Sequence, residues 1–182
     1  MESCSVDTSR GMAGPALQLR PATRADVAFI VDAIAAASRH GHFGCDVDRA
    51  DVMRGLGFQV DTVVADGRMP MPGARDGVGG QAIVIDVDEA HAGFAILIEH
   101  VPGSWHDRVE LFAMVVDERF RGRGLGRELV RFVATWAQSR VVAARCAPVS
   151  TGMRRVLEAC GFVAATADGD GVVTLELHRP AA

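Results

Sequence analysis

The sequence predicts one mixed α/β domain, with about seven strands and four helices. Three observations carry that prediction. Apolar residues alternate in some segments and recur at helical spacing in others, so neither element type dominates. At 182 residues, 49% of them hydrophobic, the chain can bury one sizeable core and is short for two. No apolar run approaches the roughly 20 residues of a membrane helix, so no membrane partner is expected.

Residues 1–16, MESCSVDTSRGMAGPA, are small, polar and broken by Gly and Pro. They are expected to form a flexible tail ahead of a single domain at 17–182. They lack a charged segment followed by an apolar core, so they do not read as a secretory signal. Cys4, Cys45, Cys146 and Cys160 lie far apart without a CxxC pair, which fits reduced thiols and a cytoplasmic location better than a disulfide frame or a zinc site.

Residues 17–20 alternate and stop at Pro21, as a short edge strand does. Thr23 and Asp26 have capping-box spacing, and Val27, Ile30, Val31 and Ile34 follow at helical spacing. A weaker helical pattern runs over 48–58, and 66–80, DGRMPMPGARDGVGG, reads as a long loop. Strands are expected at 81–87, 92–99 and 108–116, the first two joined by a DEAH turn. The third is apolar from Leu111 to its end, which predicts cover on both faces. Leu125, Leu129, Phe132, Val133 and Trp136 mark one side of a helix. A buried strand over 141–147 and a helix over 150–160, ended by Gly161, come next. A hairpin of 162–165 and 172–177 around DGDG closes the chain.

Between the apolar strand and the amphipathic helix lies ERFRGRGLGREL, residues 118–129, with four arginines and three glycines. A helix start offers unpaired N–H groups and the positive end of a dipole, glycines let a phosphate approach the backbone, and arginines add charge-assisted bonds. A pyrophosphate suits that composition. The P-loop pattern needs a lysine, yet all 19 basic residues are arginine, and Lys, Tyr and Asn are absent. Mechanisms that require a catalytic Lys or Tyr are excluded with it. The dinucleotide pattern G-x-G-x-x-G fails because Arg127 stands where the third glycine belongs. A net charge of −4 and the lack of interleaved aromatics argue against nucleic-acid binding through Arg119, Arg121, Arg123, Arg127 and Arg131.

The pattern that fits is R-x-x-G-x-G, at Arg121, Gly124 and Gly126. It resembles the acetyl-CoA motif of the GNAT superfamily of N-acetyltransferases. ELFAMVVDERFRGRGLGRELVRFV is similar to that family's strand, pyrophosphate loop and helix, and STGMRRVLEACGF resembles its second signature. The resemblance covers about 17–177 and implies the GNAT fold, a mostly antiparallel central sheet with helices on both faces.

It further implies acetyl-CoA as cosubstrate, with the pantetheine arm beside the backbone of Met114, Val115 and Val116. Arg121, Gly122, Arg123, Gly124, Leu125, Gly126 and Arg127 would hold the pyrophosphate. The acceptor would be a primary amine of a small molecule or peptide, which attacks the thioester directly in a ternary complex; cationic acceptors such as a polyamine, an aminoglycoside or a protein N-terminus suit an acidic chain. Members occur as monomers and homodimers.

Acetylating an amine requires a base for its proton and a proton or other stabilisation for the departing thiolate. Glu110 is the candidate base; it reads alternatively as a strand-end carboxylate paired with Arg108 or left in water. Glu99, His100 and His106 are alternatives acting through water. Where the family carries Asn and Tyr in its last helix, this chain has Ser150 and Leu157. Leu157 donates no proton, whereas Ser150 is either a catalytic hydroxyl or a helix cap. The missing Tyr and Asn leave open a non-catalytic acyl-CoA sensor. His40, His42, Cys45 and Asp46 match no standard zinc spacing, so no metal is expected. Residues 38–43 either border the acceptor pocket or end a helix.

Overall fold

In chain order the elements are β1 (Leu17–Pro21), α1 (Val27–Arg39), α2 (Ala50–Asp66), β2 (Arg68–Met71), β3 (Ala74–Val87), β4 (Ala90–Glu99), β5 (Arg108–Val116), α3 (Leu125–Trp136), β6 (Val141–Cys146), α4 (Thr151–Ala159), β7 (Val163–Ala167) and β8 (Val173–Leu177). The structure, a computed structural model, describes residues 16–99, 108–138 and 140–178. Most of the expected tail, the loop holding His100 and His106, and Cys4 fall outside them.

The strands form one sheet in the order β1-β3-β4-β5-β6-β8-β7, with β2 paired to β3. Every pairing is antiparallel except β5 with β6. One face packs on α3 and α4 through Leu111, Leu129, Val133, Val142, Leu157 and Leu175. The other packs on α1 and α2 through Ile30, Ile34, Val60, Phe94, Ile96 and Ala113. This is the predicted mixed architecture with helices on both faces.

Three local expectations need correction. The stretch 66–80 is not a loop: Met69 pairs with Val78 and both are buried, while Gly77 lets the strands close, since a Cβ there would meet the Met69 carbonyl oxygen at 2.7 Å. Its glycines remove the side chains whose alternation would reveal a strand. The second helix runs to Asp66 rather than 58, drawn on by burial of Val60 and Val63 and stopped by left-handed Gly67 at φ 65°. The β3–β4 turn needs only Asp88 and Glu89, at φ 50° and 66°, which is the geometry of a two-residue hairpin whose twist matches its strands.

The capping box at Thr23 and Asp26 forms as expected and joins a larger ionic network. Arg20 on β1 donates to both carboxylate oxygens of Asp26 at 2.8 Å and, through Nε, to Asp86 on β3 at 2.8 Å. The Thr23 amide and hydroxyl donate to Asp26 at 2.6 and 2.8 Å, and His91 on β4 lies 2.8 Å from Asp86. Asp26 is 1% exposed, so the network fastens the edge strand to the start of α1 from inside. The Arg20 guanidinium holds the Asp26 carboxyl well below the usual carboxylate range, against the opposing effect of burial, with Thr23 assisting.

Two outcomes follow for stability. Because Asp26 titrates below the ~4 of an unfolded aspartate, its contribution is complete above about pH 4 and is lost as pH falls through the folded-state value. Asp26→Asn therefore lowers unfolding free energy by about 3 kcal/mol at pH 7 and flattens the acid limb, as read by urea titrations across pH. Gly93→Ala places a Cβ 2.6 Å from the Val115 carbonyl oxygen between β4 and β5. It costs about 2 kcal/mol by overpacking, measured the same way, whereas an alanine at Gly57 in α2, with nothing within 4 Å of its Cβ, meets no such clash.

Candidate active site

The site begins where a ladder ends. β5 and β6 run parallel from Arg108 opposite Val141 to Leu111 opposite Ala144, and no further. At that point β5 carries a bulge: Ile96 faces Ala113 and Leu97 faces Leu111, so Phe112 is the extra residue. Beyond it β5 stays with β4 up to Val116 opposite Gly93, while β6 stays with β8 to Cys146 opposite Val173. The two strands part, and the β5 edge over 112–116 faces a cleft of about 700 Å³ lined by Met114, Val115 and Val116. The two faces of β5 are covered as expected, Leu111, Met114 and Val116 packing in one cluster and Ala113 and Val115 in the other, but its edge is not. Phe112 is 37% exposed, and Met114 to Val116 are half-buried because no strand covers that edge.

After β5 a short 3-10 turn, Glu118–Phe120, is capped by Asp117, whose side chain accepts from the Arg119 amide. The chain then turns through Gly122 and Gly124 at φ 77° and 82°, the left-handed region open to glycine at little cost. The first amide bonded again is that of Arg127, to the Gly124 carbonyl at 2.9 Å. Among the described residues, the backbone amides of 122–126 have no hydrogen-bond partner, so α3 presents a row of open donors at its positive end. Arg121, Gly122, Gly124, Leu125, Gly126 and Arg127 all line the cleft. A Cβ on Gly126 would stand 3.6 Å from Val156 and 3.8 Å from Met114, filling space between the two walls.

The arginines divide sharply. Arg119 pairs with Asp117 at 2.9 Å, Arg121 with Glu118 at 3.0 Å and Arg131 with Glu128 at 2.7 Å. Arg123 lies over the Phe120 ring at 5.3 Å, outside the cleft lining, and Arg127 has no partner among the described residues. Arg127 is thus the cleft guanidinium whose charge is left uncompensated. The other charged groups in the lining are Arg121 and Arg145; among the described residues that line the cleft none is a carboxylate.

Of the two catalytic candidates, the structure brings Ser150 into the cleft and leaves Glu110 outside it. Glu110 is half-buried on β5, between Ile98 of β4 and Ala143 of β6, in the part of the strand that is still paired. Ser150 occupies the N-cap position of α4, but its side chain makes no capping bond. Its hydroxyl lies 2.9 Å from His42 Nδ1 instead. Leu157 is fully buried in the core beneath α4. Cys160 packs against that core, and Cys146 lines the cleft with its thiol pushed up to about 11 by burial. Glu99 ends β4 in an ion pair with Arg140 at 3.0 Å.

The segment after α1 contributes what the sequence left undivided. Ala37, His42 and Phe43 line the same cleft as the glycine turn, while the Cys45 thiol lies 2.9 Å from the Ser38 hydroxyl. His42 and Cys45 therefore have separate partners. The His42–Ser150 contact joins residues 108 positions apart, and nothing local in the sequence signals it.

Residues 66–162, more than half of the chain, match the acetyltransferase (GNAT) family. No curated protein matches the chain. Its fold is similar to that of a GCN5-related N-acetyltransferase from Kribbella flavida, at TM-score 0.69 and 18% identity over 90% of this chain and 98% of that one. The PaiA N-acetyltransferase of Thermoplasma acidophilum, solved in complex with coenzyme A, gives TM-score 0.67 at 10% identity over 90% and 99%. The spermidine N-acetyltransferase of Vibrio cholerae, solved with CoA and spermine, gives 0.64 at 16% identity over 88% and 92%. With its parted strands, its glycine turn and these likenesses, the chain belongs to the GNAT acetyltransferase family.

Proposed function

We propose that this protein transfers the acetyl group of acetyl-CoA to a primary amine within a ternary complex. The observation that carries the reading is the row of open amides at 122–126 in the same cleft as the uncovered edge of β5. A pyrophosphate would accept from those amides and from Arg127, with Arg121 and Arg123 beside it. The pantetheine amides would pair with Met114, Val115 and Val116 as a strand pairs with an edge. That geometry leads the thioester toward Ser150 and the end of α1.

Attack by the amine forms a C–N bond and places negative charge on the thioester oxygen, which a backbone amide at the strand parting can stabilise. An alkylammonium near pKa 10 must first lose a proton. Glu110 takes that proton through solvent, since it lies just below the cleft rather than within it. The cleft lining includes apolar Ala37, Phe43 and Phe112, and its charged members are arginines. This favours a monoamine with an apolar or anionic body over a polycation such as the spermine bound by the Vibrio cholerae protein. A single domain over 17–182 working in the cytoplasm, as monomer or homodimer, remains part of the proposal. Pairing of Arg119, Arg121 and Arg131 with their own carboxylates speaks against nucleic acid as a partner, and among the described residues no helix is long and apolar enough to cross a membrane.

Calorimetry with CoA shows binding, and a panel of amines with acetyl-CoA shows turnover greater with aromatic or aliphatic monoamines than with spermine. Absence of both heat and turnover removes the reading; binding without turnover leaves a CoA sensor. Arg127→Ala weakens CoA binding about tenfold or more, whereas Arg119→Ala changes it less than about threefold. Glu110→Gln lowers kcat about 100-fold with CoA affinity unchanged, and a retained kcat assigns the base elsewhere.

A further inference from the structure

Any thioester-cleaving site must deal with the leaving sulfur, and this chain contains no tyrosine. The cleft lining offers few transferable protons: arginine does not give up its proton, which leaves Ser150, His42 and Cys146. The Cys146 thiol, held protonated by burial, is a weaker acid than the thiol it would have to form, near 8.5 for an ordinary thiol. A serine hydroxyl alone is weaker still. It becomes a useful donor only when a second group returns a proton to its oxygen as it gives one up.

The structure provides that second group. Ser150 is 8% exposed and forgoes the capping bond worth about 1 kcal/mol that a serine at a helix N-cap ordinarily makes. His42 Nδ1 meets its hydroxyl at 2.9 Å. His42 is held by a built turn, since its amide donates to Ala37 O at 3.1 Å and the Gly41 amide to Ser38 O at 2.8 Å, with Gly41 at φ 76°. Gly41 also packs on the turn before α4, where a Cβ would stand 3.6 Å from Val149. Half-buried His42 keeps access to solvent, from which its proton can be restored.

We propose that Ser150 delivers the proton to the departing CoA thiolate and that His42 is the positioning residue that reloads it. The assignment rests on the acetyl-transfer reading above. As the C–N bond forms and the C–S bond breaks, the bonding pair leaves on sulfur. Sulfur takes the proton from Ser150 Oγ while Oγ takes one from Nδ1 of the His42 imidazolium, which is left as a neutral imidazole carrying its proton on Nε2. The proton lost by the amine nitrogen passes to Glu110 or solvent, and His42 regains one from solvent, so nothing is consumed beyond amine and thioester.

The test uses full-length protein, acetyl-CoA and the best amine from the panel. Ser150→Ala and His42→Ala each lower kcat about 100-fold, while KM for acetyl-CoA and calorimetric CoA affinity stay within about twofold. The double variant is within about threefold of either single one, as expected of groups acting as a unit. Ser150→Thr, which keeps the hydroxyl, and imidazole added to His42→Ala each recover at least about a tenth of the wild-type rate; a purely structural contact responds to neither in this way. Single variants that keep kcat within about threefold, multiplicative losses in the double, or failure of both rescues overturn the assignment. Failure of the acetyl-transfer reading looks different, as wild-type protein that turns over no amine, and overturns this assignment with it.

Discussion

Two parallel strands can stay paired only while their registers run together, and the separation of β5 from β6 beyond Leu111 and Ala144 governs the rest of this molecule. A sheet edge opened in the middle of a domain exposes backbone donors and acceptors that have no water-free alternative. The bulge at Phe112 turns β5 away at that point and keeps it on β4, where Gly93 allows the backbones to approach closely. The core is divided to support the split: α3 and α4 pack under one face and α1 and α2 under the other, so neither pair must bridge the gap. At that end of the sheet, the buried Arg20–Asp26–Asp86 network secures the edge strand and the β3–β4 hairpin that borders the turn.

Electrostatics then sort a positively charged loop: three arginines are paired with carboxylates, Arg123 lies over the Phe120 ring, and Arg127 lines the cleft unpaired among the described residues. Carboxylates two or three positions away neutralise Arg119, Arg121 and Arg131, pairs that are exposed and contribute little stability individually. They lower the net charge of the loop without touching its amides. What is left facing the cleft is a helix start, open backbone and Arg127, a combination suited to a compact polyanion and poorly suited to an extended one such as a nucleic acid.

Much of this was legible because its signals are local. The apolar run of β5, the amphipathic pattern of α3 and Gly122 and Gly124 between them all lie within 108–136, and the structure places them as strand, turn and helix. Ser150 was legible as a residue of interest, though its hydroxyl abandons the cap for His42. That contact depends on how α1 and α4 pack across the cleft, which no spacing rule encodes. The β2–β3 hairpin was hidden for the opposite reason: Gly77 and Gly79 serve close backbone and side-chain approach and erase the alternation that marks a strand. Glu110 shows what strand position alone leaves open, since the ladder holds it opposite Ala143 and the open edge begins only beyond Leu111.

The central claim is that open backbone along β5 and at the start of α3 receives CoA, and amide hydrogen exchange measures those groups directly. Adding CoA should slow exchange at 114–116 and at 122–126, while the outer strand Val163–Ala167 exchanges as before. Exchange unchanged at both segments, or slowed only elsewhere on the sheet, would contradict the account.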